Sequence, residues 1–301
     1  MVNNANTFIL GASGFIGKNL LLALVGSSGL SIRDHSWQDK VSSSEVIINL
    51  IGKAHDHKGV ASKNEYFYAN TEVVKVVFET FLNSSATLLI HVSSLAAIEE
   101  FEATKPLIES DSGETVSWYG QSKRAAEEWL LQQKVPANKK LIILRPPMVH
   151  GSGDKGNLGL LYNLISRSIP YPLSSFENKR SFISITNFCF FIQQIIEKQD
   201  DLDSGIYHVS DDEAVSTNEI INLIKNVTGK KVLKISLPKF LITAIAKLGD
   251  IFPIPLNSNR LRKMTCDLLV SNEKIKRELG IVKLPLSALE GLEKTIRSLN
   301  K

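Results

Sequence analysis

Short apolar runs alternate with amphipathic stretches over the first half of the chain. The apolar runs occupy residues 7–10, 46–51, 87–92 and 141–144. The amphipathic stretches between them occupy residues 15–25, 66–82 and 119–133. Strands that read as continuous apolar runs, separated by helices, are typical of a parallel sheet covered on both faces. The pattern therefore predicts an α/β fold built on a doubly wound parallel sheet.

The pattern changes after Arg145-Pro146-Pro147, where glycine and proline become frequent. Helices are predicted after a Ser-Thr-Asn-Glu capping box at 216–219 and at 239–249, 272–279 and 286–299. Weaker strands are predicted at 206–209 and 232–235. We therefore expect a first domain over residues 1–150 and a smaller second domain over 151–301. An alternative to this division is that the chain returns to the first sheet near residues 181–210.

Composition narrows the functional class. The 301 residues carry 35 Lys and Arg against 31 Asp and Glu, a net charge of +4 that is scattered and gives no case for nucleic-acid binding. Cys189 and Cys266 stand in no metal-binding pattern, so no metal site is expected. No apolar run reaches the ~18 residues that span a bilayer, and no targeting segment is visible. We expect a cytoplasmic enzyme without membrane insertion.

A glycine motif joins the first predicted strand to the first predicted helix. Gly11, Gly14 and Gly17 follow one another at intervals of three residues. Gly11 permits a tight turn, Gly14 lets the backbone approach a pyrophosphate at the positive end of the helix, and Gly17 permits close packing of helix and strand. An ordinary glycine-rich turn is the alternative, but the flanking strand and helix favour dinucleotide binding.

Tyr119 and Lys123 stand four residues apart on a predicted helix, so they share one face. A nearby ammonium favours the phenolate, which would make Tyr119 an acid and base near neutral pH. Lys123 can also bind a ribose hydroxyl. Because Tyr-x-x-x-Lys is common on amphipathic helices, this pair indicates a catalytic site only in combination with the glycine motif.

Ser94 comes two residues after the apolar run at 87–92, at the strand edge where such sheets bind ligands. Its hydroxyl could donate to a substrate oxygen and orient it toward Tyr119, or Ser93 and Ser94 could merely end the strand. For His91 we expect burial in the strand and assign no role.

The second strand is expected to end near residues 32–34. An acidic side chain there binds the adenosine ribose diol, whereas an arginine favours a 2′-phosphate. Arg33 and Asp34 are both present, and we lean to NAD over NADP through Asp34.

Only 14 residues separate Asp34 from Asn49, too few for another strand and its helix. We therefore expect the second strand to lead into the strand at 46–50 through a short segment that contains Trp37.

Five motifs occur in the order typical of one known family. They are Gly-Ala-Ser-Gly-Phe-Ile-Gly at 11–17, Asn-Leu-Ile-Gly-Lys-Ala-His at 49–55, Val-Ser-Ser at 92–94, Tyr-Gly-Gln-Ser-Lys at 119–123 and Leu-Arg-Pro at 144–146. Together they resemble the extended short-chain dehydrogenases/reductases, specifically the branch of nucleotide-sugar epimerases, dehydratases and reductases. The resemblance covers nearly the whole chain and implies a Rossmann-like sheet with a smaller C-terminal substrate domain.

The resemblance implies roles for individual residues. Ser94, Tyr119 and Lys123 match the catalytic hydroxyl, base and lysine. The positions that match cofactor contacts are Gly11, Ser13, Gly14, Phe15, Ile16, Gly17, Arg33, Asp34, Leu50, Ile51, Gly52, Lys53, Asn70, Tyr119, Lys123 and Pro146. The positions that match substrate contacts are Ser94, Asn157, Arg180 and, more weakly, Arg260.

Departures from the family pattern bear on the reaction. Family dehydratases place two acidic residues after the catalytic hydroxyl, where this chain has Leu95 and Ala96, so dehydration is disfavoured. The asparagine that usually follows the Arg-Pro motif is Met148. The resemblance therefore implies an NAD- or NADP-dependent nucleotide-sugar epimerase acting at C4, in surface glycan precursor synthesis. A reductase of 4-keto nucleotide sugars and a non-catalytic cofactor-binding scaffold remain alternatives. By analogy with relatives, a homodimer is a further expectation.

Overall fold

The computed structural model describes residues 6–54, 61–153, 157–168, 171, 173, 176–230, 237–252 and 257–300. Its strands are β1 (Thr7–Leu10), β2 (Ser28–Leu30), β3 (Val46–Asn49), β4 (Leu88–Val92), β5 (Ala103–Leu107), β6 (Lys140–Arg145), β7 (Met148–His150), β8 (Lys179–Arg180), β9 (Phe182–Ser184), β10 (Gly205–His208), β11 (Val215–Ser216) and β12 (Leu268–Val270). Its α-helices are α1 (Phe15–Ala23), α2 (Trp37–Val41), α3 (Lys63–Phe67), α4 (Val73–Leu82), α5 (Trp118–Leu131), α6 (Asn157–Ser166), α7 (Ile185–Glu197), α8 (Thr217–Thr228), α9 (Lys239–Gly249), α10 (Ser258–Thr265), α11 (Glu273–Glu278) and α12 (Ala288–Leu299).

A parallel sheet of six strands, in the order β10-β6-β4-β3-β1-β2, forms the centre of the protein. Alternate side chains of its strands point to opposite faces. Ile9 and Ile48 belong to a core cluster with residues of α1 and α7, whereas Leu10 and Ile47 belong to a cluster with residues of α4 and α5. The sheet is therefore covered by helices on both faces, and the predicted α/β fold is confirmed.

The short path from β2 to β3 is also confirmed. The chain passes through α2, whose first residue is the buried Trp37, and then enters β3 beside β1. No further strand lies between β2 and β3, all of which falls within the described residues. Trp37 joins the core cluster on the α4 and α5 face, so a buried aromatic side chain anchors α2 to the sheet.

The end of the second strand differs from the expectation. Pairing of β2 with β1 stops at Leu30, before the predicted end at 32–34. A turn takes over at Ser31, because the amide of Asp34 donates to the Ser31 carbonyl at 3.0 Å and the amide of Trp37 donates to the Asp34 carbonyl at 3.1 Å. Arg33 and Asp34 lie on this exposed turn.

The second half of the chain contributes to two regions. β10 pairs with β6 at the edge of the central sheet, and α7 packs against α1. A separate core lies among α6, α8, α9, α10 and α12, next to β9. The capping box at Ser216 and Glu219 is present at the start of α8, as predicted. The strand predicted at 232–235 lies outside the described residues.

The predicted late helices are present as α9, α11 and α12, each within two residues of the expected bounds. Among the described residues, none of the helices combines the length and apolar character that crossing a bilayer demands.

Candidate active site

The glycine turn after β1 lies beside the loop after β3. Gly11 has φ +83°, which L side chains rarely adopt, and a Cβ at Gly11 would lie 3.1 Å from the Leu50 carbonyl carbon. A Cβ at Gly17 would lie 2.5 Å from the Cα of Ala12, so α1 packs closely on the turn because Gly17 has no side chain. Gly14 caps α1 without a side-chain hydrogen bond.

The amino end of α1 can therefore receive an anion. Ser13 and Gly14 are exposed, and no side-chain cap acceptor meets the amides of the first turn, which begins at Phe15 and Ile16. Such a helix end stabilises a phosphate through its amides and its dipole. The turn thus fits the pyrophosphate of a dinucleotide.

Asn70 holds the loop after β3. Its side-chain oxygen accepts from the Lys53 amide at 2.7 Å, and its side-chain nitrogen donates to the Lys53 carbonyl at 3.1 Å and to the Ser122 hydroxyl at 2.9 Å. Asn70 lies in a π-helical turn, Tyr68–Glu72, between α3 and α4. Such turns are frequent at functional sites, and here the turn joins the loop at 50–53 to α5.

Lys123 lies inside the site and has little contact with solvent. It is 4% exposed, and its ammonium donates to the carbonyl of Val92, the last residue of β4, at 2.9 Å. Burial lowers the pKa of Lys123 to about 8, and the carboxylate of Glu127 opposes that shift. A Cβ at Gly52 would lie 3.1 Å from the Lys123 nitrogen, so Gly52 leaves the ammonium open toward the loop at 50–53.

Tyr119 lies near Ser94, and hydrogen bonding by the Ser94 side chain affects the pKa of the phenol. Burial is the largest influence on Tyr119 and raises its pKa above the ordinary value of 10.0, whereas the bond to Ser94 lowers it. The prediction that Lys123 makes Tyr119 acidic is wrong in this structure. Desolvation of the phenolate dominates, and the Lys123 ammonium is directed at Val92.

A buried ion pair lies next to Lys123 along α5. Glu127, one turn further along α5, binds Arg145 at 2.6 Å, and the side chains are 2% and 7% exposed. The guanidinium also donates from Nε to both carboxylate oxygens, at 3.1 and 3.0 Å. Arg145 thereby joins the end of β6 to the helix that carries Tyr119 and Lys123.

Glu100 fixes the start of that helix. Its carboxylate accepts from the amides of Val116 and Ser117 at 3.2 and 2.8 Å, and the Ser117 hydroxyl caps α5. A Cβ at Gly120 would lie 2.4 Å from the Ala96 carbonyl oxygen, so α5 begins in close contact with the turn that follows Ser94. These contacts place Tyr119 against Ser94.

A family model for NAD-dependent epimerases and dehydratases matches residues 7–210 of the chain. The chain belongs to the NAD-dependent epimerase/dehydratase family. It is accordingly an enzyme that uses NAD or NADP.

Three relatives illustrate the range of this family. UDP-glucose 4-epimerase of Vibrio cholerae is 25% identical over 316 residues, which cover 96% of this chain and 94% of that protein. An N-acetyl-α-D-glucosaminyl-diphospho-ditrans,octacis-undecaprenol 4-epimerase of Escherichia coli O157:H7 is 23% identical, covering 78% of this chain and 76% of that protein. The crystal structure of UDP-glucuronic acid 4-epimerase from Bacillus cereus in complex with NAD shares the fold, with a TM-score of 0.75, 16% identity and 98% of each chain covered.

Other positions that match family cofactor contacts lie around the same sheet edge. Pro146 follows β6, and its carbonyl accepts from the Leu95 amide at 2.9 Å. Lys53 is paired with Glu65 at 3.0 Å. The carboxylate of Asp34 accepts from the ammonium of Lys40 and from the amide and hydroxyl of Ser36, which lower its pKa to about 2.

Apart from Ser94, which follows β4, the positions that match family substrate contacts lie outside the central sheet. Arg180, on β8, donates to the carbonyls of Phe101 and Cys266 at 3.3 and 3.1 Å, and burial lowers its pKa. Arg260 is exposed on α10. Asn157 begins α6, and its side chain lies outside the described part of the chain.

Several contributors to the site were not anticipated. Ser122 stands in the motif at 119–123 without an assigned role, and Glu100 and Glu127 lie outside the motifs. Glu127 follows Lys123 by four residues and could have been noticed as a helix neighbour. His91 is buried, as expected, with its Nδ1 3.2 Å from Asn49 Nδ2. Burial and the charge of Lys123 hold the pKa of His91 well below its ordinary value, so this ring is neutral.

Proposed function

We propose that this enzyme is a nucleotide-sugar epimerase that acts at C4 of a UDP-sugar through a 4-keto sugar, in surface glycan precursor synthesis. The observation that carries the proposal is that the buried Lys123 donates to the carbonyl of Val92 at 2.9 Å, two residues before Ser94. Tyr119 lies one turn before Lys123 on α5, and hydrogen bonding by Ser94 acts on its pKa. The relatives from Vibrio cholerae and Escherichia coli, both 4-epimerases by name, support it.

The chain's own residues supply binding and proton transfer. When bound, the nicotinamide cofactor would supply the acceptor and donor of the C4 hydride. Tyr119 takes the proton of the sugar hydroxyl as the ketone forms and returns it when the ketone is reduced. Ser94 donates to the reacting oxygen and keeps it in line with the phenol. Lys123 holds a ribose hydroxyl of the cofactor.

The raised pKa of Tyr119 bears on the direction of proton transfer. A phenol that holds its proton is ready to donate it to a ketone oxygen. Removal of a proton from the sugar requires the phenolate, which burial disfavours and the bond to Ser94 favours. We therefore expect the oxidation half of the reaction to limit the rate below the pKa of Tyr119.

Dehydration is not proposed, because the two residues that follow Ser94 carry no acid to eliminate water. Leu95 is buried and Ala96 has no functional group. The next two carboxylates in the chain, those of Glu99 and Glu100, already accept hydrogen bonds from backbone amides. Glu99 accepts from the amides of residues 100–102, and Glu100 accepts from the amide of Ser117.

We propose that the substrate diphosphate lies near Arg180, with Asn157 and Arg260 as further contacts. The guanidinium of Arg180 uses Nη1 on two carbonyls, and guanidinium groups bind phosphate oxygens through several donors at once. Arg262 and Lys263 on α10 flank Phe101, whose carbonyl Arg180 contacts. Arg262 and Lys263 pair with Glu102 and Glu100, whereas the hydrogen bonds of Arg180 go to carbonyl oxygens, which supports Arg180 as the main contact.

Incubation of the purified protein with UDP-sugars and 4-keto UDP-sugars tests the proposal. An epimerase interconverts C4 epimers without added reductant, whereas a reductase consumes stoichiometric NAD(P)H on the 4-keto substrates. Tyr119→Phe is the inactive comparison, and Tyr68→Phe, at an exposed tyrosine, is the matched control. Turnover that requires stoichiometric NAD(P)H would identify the protein as a reductase of 4-keto nucleotide sugars and contradict the epimerase assignment. Absence of any turnover in a protein that binds NAD(P) would favour the scaffold.

A further inference from the structure

A cluster of large apolar side chains is exposed on α9 and the turn after it. The exposed fractions are 75% for Phe240, 41% for Leu241, 51% for Leu248, 78% for Ile251 and 57% for Phe252. These five side chains form the α9 surface. The amides of Ile251 and Phe252 donate to the Leu248 carbonyl at 3.1 and 2.9 Å, so the turn continues the helical path and keeps all five on one side.

The opposite side of α9 anchors the helix in the second core. Ile242 and Ala246 are 2% and 0% exposed and pack with residues that include Leu261 of α10. The fold therefore holds α9 through these residues and does not need the α9 surface for its own stability. Large contiguous exposed apolar patches on soluble proteins mark interaction sites.

Basic residues border the α9 surface. Lys247 is exposed on α9, and Lys239 is exposed at the start of the helix with its ammonium 5.5 Å from the centroid of the Phe176 ring. The two basic residues of α9 are Lys239 and Lys247, and α9 itself contains no acidic residue; Asp250 follows it directly. The Asp250 carboxylate accepts from the amide and hydroxyl of Ser258 at 2.9 and 2.5 Å, which lowers its pKa and fixes it at the turn.

We propose that the α9 surface docks this enzyme on the anionic surface of a lipid bilayer. Phe240, Ile251 and their neighbours would enter the boundary between headgroups and acyl chains, while Lys239 and Lys247 contact anionic headgroups. The docking is peripheral and does not depend on the reaction proposed above. A second copy of the chain is a poorer occupant, because a two-fold contact on this face would oppose one basic border to another.

The α9 surface lies one helix away from the candidate active site. α10 packs on α9, and its Lys263 lies 3.5 Å from the Glu100 carboxylate. The other oxygen of Glu100 accepts from the amide of Ser117 at the start of α5, the helix that carries Tyr119. Docking through α9 therefore holds the active site next to the membrane.

Sedimentation with vesicles tests the proposal on the full-length protein. The vesicles consist of phosphatidylcholine alone or of phosphatidylcholine mixed with phosphatidylglycerol. We expect binding to the mixed vesicles that weakens as salt is added, because the basic border is screened. The double variant Phe240→Ser/Ile251→Ser should lose this binding. Lys239→Gln/Lys247→Gln should weaken it by about fivefold for each lysine removed.

Matched variants separate the α9 surface from general effects of composition. Val282→Ser removes an apolar residue that is 92% exposed elsewhere, and Lys134→Gln/Lys294→Gln removes two lysines outside α9. Both should bind vesicles like the wild type. Failure of the wild type to bind anionic vesicles would overturn the proposal, as would equal binding by Phe240→Ser/Ile251→Ser. A change of that variant from dimer to monomer in sedimentation velocity, with no vesicle binding by the wild type, would assign the surface to a second copy.

Discussion

The side-chain amide of Asn70 donates to the hydroxyl of Ser122 at 2.9 Å, and both side chains are 0% exposed. The same Asn70 side chain is bonded to the amide and the carbonyl of Lys53. Ser122 directly precedes Lys123. One buried side chain therefore sets the position of the loop at 50–53 relative to the lysine proposed to bind the cofactor.

Replacement of Asn70 should disturb both stability and cofactor binding. Asn70→Ala leaves the Lys53 backbone and the Ser122 hydroxyl without this partner, and we expect a loss of about 1–3 kcal/mol in the free energy of unfolding. NAD(P) affinity should fall as well, because the loop at 50–53 is released. Urea unfolding and cofactor titration measure the two effects. Ser122→Ala keeps both bonds to Lys53, so an equal loss of affinity in that variant would contradict this account.

Removal of the Tyr119 hydroxyl tests its role in proton transfer. Tyr119→Phe keeps the ring and its packing, so substrate and cofactor affinity should change little. The rate should fall by about 10²–10⁴-fold, the usual loss when a general acid–base group is removed. Steady-state kinetics and substrate titration check the two parts separately. A folded variant that turns over at the rate of the wild type would remove Tyr119 from the mechanism.

The buried pair of Arg145 and Glu127 should be costly to break from one side. Arg145→Met leaves the Glu127 carboxylate buried and unpaired, which should cost about 3–5 kcal/mol of stability. The double variant Arg145→Met/Glu127→Met should recover much of that loss. Arg297→Met, which breaks the exposed pair with Glu293, should cost less than about 1 kcal/mol. Thermal or urea unfolding of the four proteins decides whether burial makes the difference.

Asp211 should make stability depend on pH. It is buried beside Asn187, its Oδ2 lies 3.9 Å from His150 Nε2, and burial raises its pKa from 3.8 to about 7. The folded protein thus binds the proton more tightly than the unfolded chain, and this stabilisation is lost as pH rises from about 4 to about 7. Burial lowers the pKa of His150 to about 4, which gives the opposite slope at acidic pH.

A variant separates the two groups. Asp211→Asn removes one titration and leaves His150 in place, so it should gain stability relative to the wild type as pH rises through that window, by about 1 kcal/mol or more. Urea unfolding at a series of pH values gives the difference curve. A curve that is flat from pH 4 to 7 would mean that Asp211 has an ordinary pKa in the folded protein.

Cofactor preference is expected to depend on Asp34. An acidic side chain beside the adenosine ribose binds its diol and repels a 2′-phosphate, so Asp34→Ala should reduce the preference for NAD over NADP. The ratio of the two dissociation constants measures this. Asp39→Ala, at an exposed carboxylate on α2, is the control. An unchanged ratio in Asp34→Ala, or a wild type that already prefers NADP, would show that Asp34 does not select the cofactor.

The sequence by itself determined the layout of the central sheet. Continuous apolar runs at β1, β3, β4 and β6 can be buried only between two layers of helices, and parallel strands bring their carboxyl ends to one edge. The number of residues between Asp34 and Asn49 also excluded another strand and its helix. These properties depend on local periodicity and chain length, which a single sequence contains.

Only the tertiary structure decided the electrostatics of the candidate site and the exposure of α9. The spacing of Tyr119 and Lys123 suggested an acidic phenol, but burial by residues distant in the chain raises the pKa of Tyr119 and lowers that of Lys123. The helix predicted at 239–249 is present as α9, but the sequence did not indicate which of its side chains stay in water. Desolvation depends on what surrounds a group in space, and those neighbours are assembled only when the chain folds.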